Sequence, residues 1–290
     1  MIKEWVDEYK PANKEEALQA LREIMQEVAL AGLQRAGFFE KAAFYGGTAL
    51  RIFYGLDRYS EDLDFSLLQI TFGFSLEKYL AAIKAEFESL GMKVSIREKT
   101  KTIQNNIESA FLKSETIWKE LVLENIIPQS GLNQVASIKI KLEVDTEPPP
   151  GFKTEEKLLL KPFSCYIKCF SLPDLFAGKM HALLFRKWKS NVKGRDWYDT
   201  EWYIKKGIAL HLSHFVLRAR DSGDWNNETM TIAEFKNLLA SRIDSVDMER
   251  VKEDIRRFIP NQDKIQIWFT EYFHDLSAQL KIDADDSEVH

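Results

Sequence analysis

Thiols, histidines and long apolar runs are all scarce in this chain of 290 residues, and each scarcity removes a class of protein. The two cysteines, Cys165 and Cys169, fall within one short strand-like stretch. That is a poor geometry for a disulfide and too few thiolates for a zinc centre, so both are expected to be packed thiols. No run approaches the ~18 uninterrupted apolar residues of a membrane span. The opening Met-Ile-Lys-Glu-Trp-Val-Asp-Glu is too charged for a secretory signal, so a cytoplasmic location is expected. Among the 5 histidines, His211 and His214 lack the spacing and the glutamate of a zinc-protease helix, and His181 sits in an apolar pattern. No Gly-x-Ser-x-Gly, Walker or kinase motif occurs. A net charge of −5 disfavours a protein that coats nucleic acid over its whole surface, because phosphate affinity grows with the number of cationic contacts.

What is present begins at residues 45–66: Tyr-Gly-Gly-Thr-Ala-Leu-Arg, then, further on, Glu-Asp-Leu-Asp-Phe-Ser. With Leu63 and Phe65 in a core, the two-residue period of a strand sends Asp62 and Asp64 together to the other face. Two carboxylates on one side can hold a divalent metal. Gly46-Gly47 permits close backbone approach, and a helix from near Thr48 would aim free N–H groups and a positive dipole end at an anion. Alone, an Asp-x-Asp pair is also what a solvated strand face shows, and a lone Gly-Gly is also an ordinary turn.

The pattern around this stretch alternates strand and helix. Asn13 with Glu16 has capping-box spacing and opens a helix that runs to Gly37; residues 42–45 read as a buried strand; Gly55 ends the helix after it. Ser75 precedes an amphipathic helix that Gly91 stops. Residues 93–97 alternate like a strand, residues 107–112 suggest another, and residues 115–122 are compatible with a helix. Residues 138–145 alternate cleanly, with Lys139, Lys141, Glu143 and Asp145 on the polar side. Pro148-Pro149-Pro150-Gly151 marks a stiff loop, and short strands follow at 157–160 and 164–170. From Ser171, with Pro173 in the first turn, periodicity becomes almost wholly helical, with segments at 197–206, 232–243, 248–259 and 264–280. The expected division is a first domain of residues 1–170 and a helical one of 171–290, with a disordered acidic tail after 282.

Asp145 is the candidate third carboxylate, since it closes a strand whose polar face would extend the Asp62–Asp64 surface. Hard cations such as Mg²⁺ favour a few carboxylates plus substrate phosphates. A second charged group opens the helical half: Lys179 and Arg186 at helical spacing, suited to gripping a triphosphate, then Arg195, Asp196 and Asp199. Interdomain ion pairing accounts for the last three as well as catalysis does. The acid-free run from Arg186 to Arg195 is a candidate RNA-contacting patch, or else a solvated helix end.

On Gly46-Gly47-Thr48-Ala49-Leu50 and Arg58-Tyr59-Ser60-Glu61-Asp62-Leu63-Asp64-Phe65, the chain resembles the AbiEii-type nucleotidyltransferase toxins of the DNA polymerase β-like superfamily. Residues 141–145 fit the family's later strand. The Lys179 helix and Arg195-Asp196-Trp197-Tyr198-Asp199 resemble its downstream motifs, in which a lysine and an aspartate are required. The superfamily's usual Gly-Ser turn is Gly-Gly here, a form the AbiEii-type pattern accepts.

The resemblance implies an α+β fold: a mixed β-sheet with flanking helices, joined to a helical C-terminal domain. It also implies transfer of a nucleotide from an NTP to an acceptor. Some relatives modify tRNA 3′ ends, and members commonly act as toxins opposed by a cognate antitoxin in phage defence. The resulting assignment gives Asp62, Asp64 and Asp145 to Mg²⁺ or Mn²⁺, with Asp145 alternatively taking the acceptor's proton. Lys179 and Arg186 go to the triphosphate, Asp196 to orienting Lys179 or the acceptor, and Gly46, Gly47 and Thr48 to phosphate. Arg58 and Ser60 steady the loop before the strand and, with Arg195, are counted on the nucleotide side. Two alternatives stand beside it: nucleotidylation of a protein or small-molecule hydroxyl, and a non-catalytic nucleotide-binding module.

Overall fold

The computed structural model describes residues 1–98, 116–124, 137–148, 151–186 and 192–283. The chain divides into two compact units. The first comprises Met1–Gly55, Tyr59–Pro148 and Thr154–Cys169, and the second Leu56–Arg58, Pro149–Lys153 and the chain from Phe170 onward. Among the described residues no helix is long and apolar enough to cross a membrane.

The first unit opens with α1 (Ile2–Glu8) and α2 (Lys14–Arg35). Asn13 caps α2 as its spacing to Glu16 predicts, its side chain accepting from the Glu16 N–H at 2.9 Å. A 3₁₀ turn then leads to β1 (Ala42–Tyr45), α3 (Gly46–Tyr54), β2 (Asp62–Leu67) and α4 (Glu77–Ser89). The remaining strands are β3 (Val94–Glu98), β4 (Thr116–Glu124), β5 (Ser137–Asp145), β6 (Thr154–Leu159) and β7 (Cys165–Phe170). They form one mixed sheet in the order β3-β4-β5-β2-β1-β7-β6. β2 runs parallel to β5 and antiparallel to β1, so the strand bearing Asp62 and Asp64 lies in the middle of the sheet.

Burial explains this placement. Leu63, Phe65 and Leu67 of β2, Ile140, Leu142 and Val144 of β5, and Phe44 of β1 are all 0% exposed and belong to one core with α2 and α4. Phe38 sits in that core edge-on to Phe65 and Tyr79, with centroids 5.0 Å away in both cases. Gly32 of α2 packs directly on α4: a Cβ there would lie 2.7 Å from the Ile83 Cα, so only glycine permits this helix separation.

Of the segment 115–122, read from sequence as compatible with a helix, residues 116–122 lie instead in β4. That strand pairs antiparallel with both β3 and β5, and its Leu121 is 0% exposed. Two flanking ladders satisfy its backbone, which outweighs the local helical tendency of Glu115 to Val122. The strand expected at 107–112 lies outside the described residues.

The second unit is built from α5 (Leu172–Phe185), α6 (Gly194–Lys205), α7 (Leu212–Asp221), α8 (Ile232–Ser245), α9 (Met248–Ile255) and α10 (Thr270–Ala278). Two short strands, β8 (Ala209–His211) and β9 (Lys281–Asp283), pair in parallel. The helical periodicity after residue 171 is thus realised, apart from this strand pair and the shortening of the last helix. The acidic tail beyond Asp283 lies outside the described residues. The core of the second unit gathers Trp197, Trp268 and Phe273, with the Phe273 ring about 5 Å from each tryptophan. Asp174, 1% exposed, accepts from the Ser171 hydroxyl at 2.6 Å and the Lys153 N–H at 2.7 Å, and also bonds His211. This settles His211 as a packed, hydrogen-bonded core residue.

Candidate active site

In the first unit the polar face of the central strands is set by register. Because β2 and β5 are parallel and in register, Asp62 lies beside Lys141, Asp64 beside Glu143, and Ser66 beside Asp145. Asp62 and Asp64 are half-buried and share this face, as the period of two requires. On the other side β1 places Tyr45 opposite Asp64. Asp64 therefore sits at the centre of the face, and Asp145 is one pair further along. Adjacent strands lie about 4.8 Å apart and two residues span about 6.6 Å, so Asp64 and Asp145 are diagonal neighbours at roughly 8 Å between Cα atoms. The lateral carboxylate is Glu143, which forms an ion pair with Lys141. The sequence showed Glu143 only as one of four polar residues on a strand, because alternation identifies a face without saying which residue meets Asp64. The Asp145 carboxylate accepts from the Glu147 N–H at 3.0 Å.

The glycine turn meets this face. Gly46 begins α3 with φ of +83°, and a Cβ built there would come within 2.5 Å of Asp64 Oδ2 and 3.2 Å of its Cγ. The helix start and the carboxylate are therefore in direct contact, which the sequence spacing left undefined. Tyr45 at the N-cap places no side-chain oxygen on the first-turn N–H groups of α3. Gly46→Ala is expected to strain the left-handed turn by about 1–2 kcal/mol and to displace Asp64. Urea unfolding should register the first effect, and loss of any reaction that depends on Asp64 the second.

Thr48 is placed differently from the expectation that its hydroxyl meets phosphate. It is 0% exposed, donates to the Asp62 carbonyl and lies 2.9 Å from the Ser60 hydroxyl. The Ser60 carbonyl in turn accepts from Gln26 Nε2 at 3.2 Å. Thr48 and Ser60 thus tie the first turn of α3 to the start of β2, fixing the carboxylates from behind rather than touching a ligand.

Among the described residues no three His, Cys, Asp or Glu side chains converge closely enough to hold a metal by themselves. Asp62 and Asp64 on one face, with the α3 helix start against Asp64, nevertheless suit a hard cation of the kind that draws its remaining ligands from substrate phosphates and water.

The second unit brings together most of the other expected residues. Arg58, 2% exposed, grips Asp199 with two bonds, Nε to Oδ1 at 2.5 Å and Nη2 to Oδ2 at 2.6 Å. Lys179 reaches Asp199 Oδ2 at 2.8 Å and Asp196 Oδ1 at 2.9 Å, and Arg186 reaches Asp196 Oδ2 at 3.2 Å. Burial opposes ionisation of Asp196, but Lys179, Arg186 and Lys193 outweigh it and hold the carboxyl at about 2. Asp199, equally buried, is held below the usual carboxylate range chiefly by Arg58 and Lys179. Arg58 is therefore enclosed by protein, which separates it from the nucleotide role expected of it. Arg195 lies with its guanidinium carbon 4.3 Å from the Phe258 ring centroid.

Sequence reasoning overlooked Arg242 of α8, which lines a small recess with Arg186, Lys193 and Asp196. No local motif marks it, since it lies far along the chain from the Arg186–Arg195 run.

The family model described as nucleotidyl transferase AbiEii toxin, type IV toxin–antitoxin system, matches residues 28–278. No curated protein matches the chain. Similar solved structures include JHP933 from Helicobacter pylori, 15% identical, covering 90% of each chain with a TM-score of 0.49. MenT4, a nucleotidyltransferase toxin of Mycobacterium tuberculosis, is 14% identical, covering 95% of this chain and 98% of its own, also with a TM-score of 0.49.

Proposed function

The chain belongs to the nucleotidyl transferase AbiEii toxin family of type IV toxin–antitoxin systems, and from that premise we propose that it transfers a nucleoside monophosphate from an NTP to an RNA acceptor such as a tRNA 3′ end. The family uses an NTP and is opposed by an antitoxin; a phage-defence setting belongs to the proposal. The observation that carries the reading is the contact between the α3 glycine turn and Asp64, on the face shared with Asp62.

Asp62 and Asp64 would hold Mg²⁺ or Mn²⁺. A divalent ion there supplies charge neutralisation for the triphosphate and alignment of the acceptor hydroxyl. The Gly46–Gly47 backbone and the positive end of α3 bind phosphate oxygens. The α-phosphorus forms a bond to the acceptor oxygen as the bond to the leaving pyrophosphate breaks. Asp145 is assigned the proton of the attacking hydroxyl, and Glu143, lateral to Asp64, completes the carboxylate face. In the second unit Asp196 orients the Lys179 ammonium, 2.9 Å away.

The direct test is incubation of the protein with each of four labelled NTPs, Mg²⁺ and total tRNA. Label in RNA supports the reading; label on protein or on an aminoglycoside moves the acceptor to another class. Metal-dependent NTP binding with no product on any acceptor removes the catalytic reading. The register adds a prediction within it. Glu143→Gln should weaken Mn²⁺ binding about tenfold, and Asp145→Asn should leave that binding nearly unchanged while lowering turnover. Titration of Mn²⁺ beside single-turnover rates separates the two roles; equal loss of Mn²⁺ affinity in both variants would refute the division.

A further inference from the structure

The Lys193 ammonium meets Asp196 only through the longer-range attraction of their charges. Among the described residues no carboxylate lies within ion-pair distance of it, although burial and then the neighbouring Arg186 depress its ionisation to about 8. Its recess is lined by Leu183 and Arg186 from the end of α5, by Lys193, Asp196 and Trp197 from the start of α6, and by Arg242 from α8. Both oxygens of Asp196 are already engaged, Oδ1 by Lys179 at 2.9 Å and Oδ2 by Arg186 at 3.2 Å. Arg242 uses Nε on the Leu183 carbonyl at 2.9 Å; burial lowers its pKa, and the Asp196 charge opposes that shift. Asp254 accepts from the Gly194 N–H at 2.7 Å.

Among the described residues positive charge is in surplus around a small recess: Lys179, Arg186, Lys193 and Arg242 lie about Asp196, while Asp199 is shared between Lys179 and Arg58. Cations brought together at a cost in burial and mutual repulsion are stabilised when an anion arrives. Two arginines and a lysine suit a tetrahedral oxyanion carrying more than one charge better than a single carboxylate.

We propose that this recess binds a phosphate group, through Lys193 and Arg242 with Arg186 as the third wall. The phosphate belongs either to a triphosphate or its pyrophosphate product, or to the backbone of an acceptor RNA. The choice of ligands rests on the transferase reading above, but the readouts are binding measurements, which hold or fail whether or not Asp62 and Asp64 support turnover.

The test titrates the full chain with inorganic pyrophosphate and, separately, with an RNA oligonucleotide lacking terminal phosphates, at low salt. Lys193→Met and Arg242→Met are each expected to weaken at least one of these about tenfold, with exposed Lys236→Met on the same α8 helix as the unchanged control. Loss with pyrophosphate names the free-phosphate source; loss confined to RNA names the backbone. Wild-type affinity of Lys193→Met for both ligands would overturn the site. Because Arg242→Met also removes a bond to the Leu183 carbonyl, a second measurement uses the unmodified chain. Acylation of Lys193 near pH 8, followed by peptide mass spectrometry, should slow several-fold at saturating pyrophosphate or RNA. An unaltered rate with both refutes the proposal.

Discussion

Protein carrying Asp62→Asn and Asp64→Asn is expected to incorporate labelled nucleotide at least about a thousandfold more slowly than wild type, a loss of roughly 4 kcal/mol of transition-state stabilisation. The substitution keeps the shape of both side chains, removes their charge and exchanges one acceptor oxygen of each for an amide donor. Both positions are half-buried on the polar face of β2, so the core formed by Leu63, Phe65 and Leu67 is untouched. Unfolding stability should therefore stay within about 0.5 kcal/mol. The pairing of lost turnover with retained stability is what distinguishes a ligand-binding face from a merely solvated strand face. Label transfer at the wild-type rate by the double variant would end the assignment. Loss of stability equal to the loss of activity would instead make these aspartates structural.

The second large effect belongs to the helical unit and is one of stability. Asp199→Ala removes the two bonds that the Arg58 guanidinium, 2% exposed, makes to that carboxylate, at an expected cost of about 3–5 kcal/mol. Lys179 retains Asp196 in that variant and is the smaller part of the loss. Replacing the pair together, Arg58→Met with Asp199→Leu, should recover most of the stability, because the buried charge and its counter-charge then leave together. Trp197 and Trp268, both buried in this unit, provide the fluorescence signal for urea unfolding. If Asp199→Ala unfolds at the wild-type midpoint, the buried pair is not what holds these helices.

The same cluster sets an acid limit. Asp196 ionises in the folded chain at about 2, below the unfolded carboxylate value near 4. Its contribution is therefore fully present above about pH 4 and is lost as pH falls towards 2, with Asp199 acting in the same direction. Stability measured from pH 5 downwards should decline more steeply in wild type than in Asp196→Asn.

Local signals were enough for much of the fold. Asn13 and Glu16 start α2, Gly55 with φ of +78° ends α3, and alternation identifies β5, because caps, left-handed turns and face periodicity are decided within a few residues. The 115–122 segment fails for the converse reason: its strand character comes from β3 and β5, which lie elsewhere in the sequence. The site divides along the same line. Asp62 and Asp64 on one face, and the cationic and acidic residues around Lys179, were legible as charges at fixed spacing.

What the sequence by itself determined, then, is which residues share a face and where the backbone turns, since both depend on covalent geometry and local hydrogen bonding. Only the tertiary structure decided what each charge meets. Register put Glu143 rather than Asp145 beside Asp64, burial turned Thr48 and Arg58 inward, and the packing of α8 near α5 and α6 brought Arg242 to Lys193. Those outcomes depend on distances between residues far apart in the chain, and the interaction of charges is governed by distance and solvent exposure, neither of which is encoded in local order.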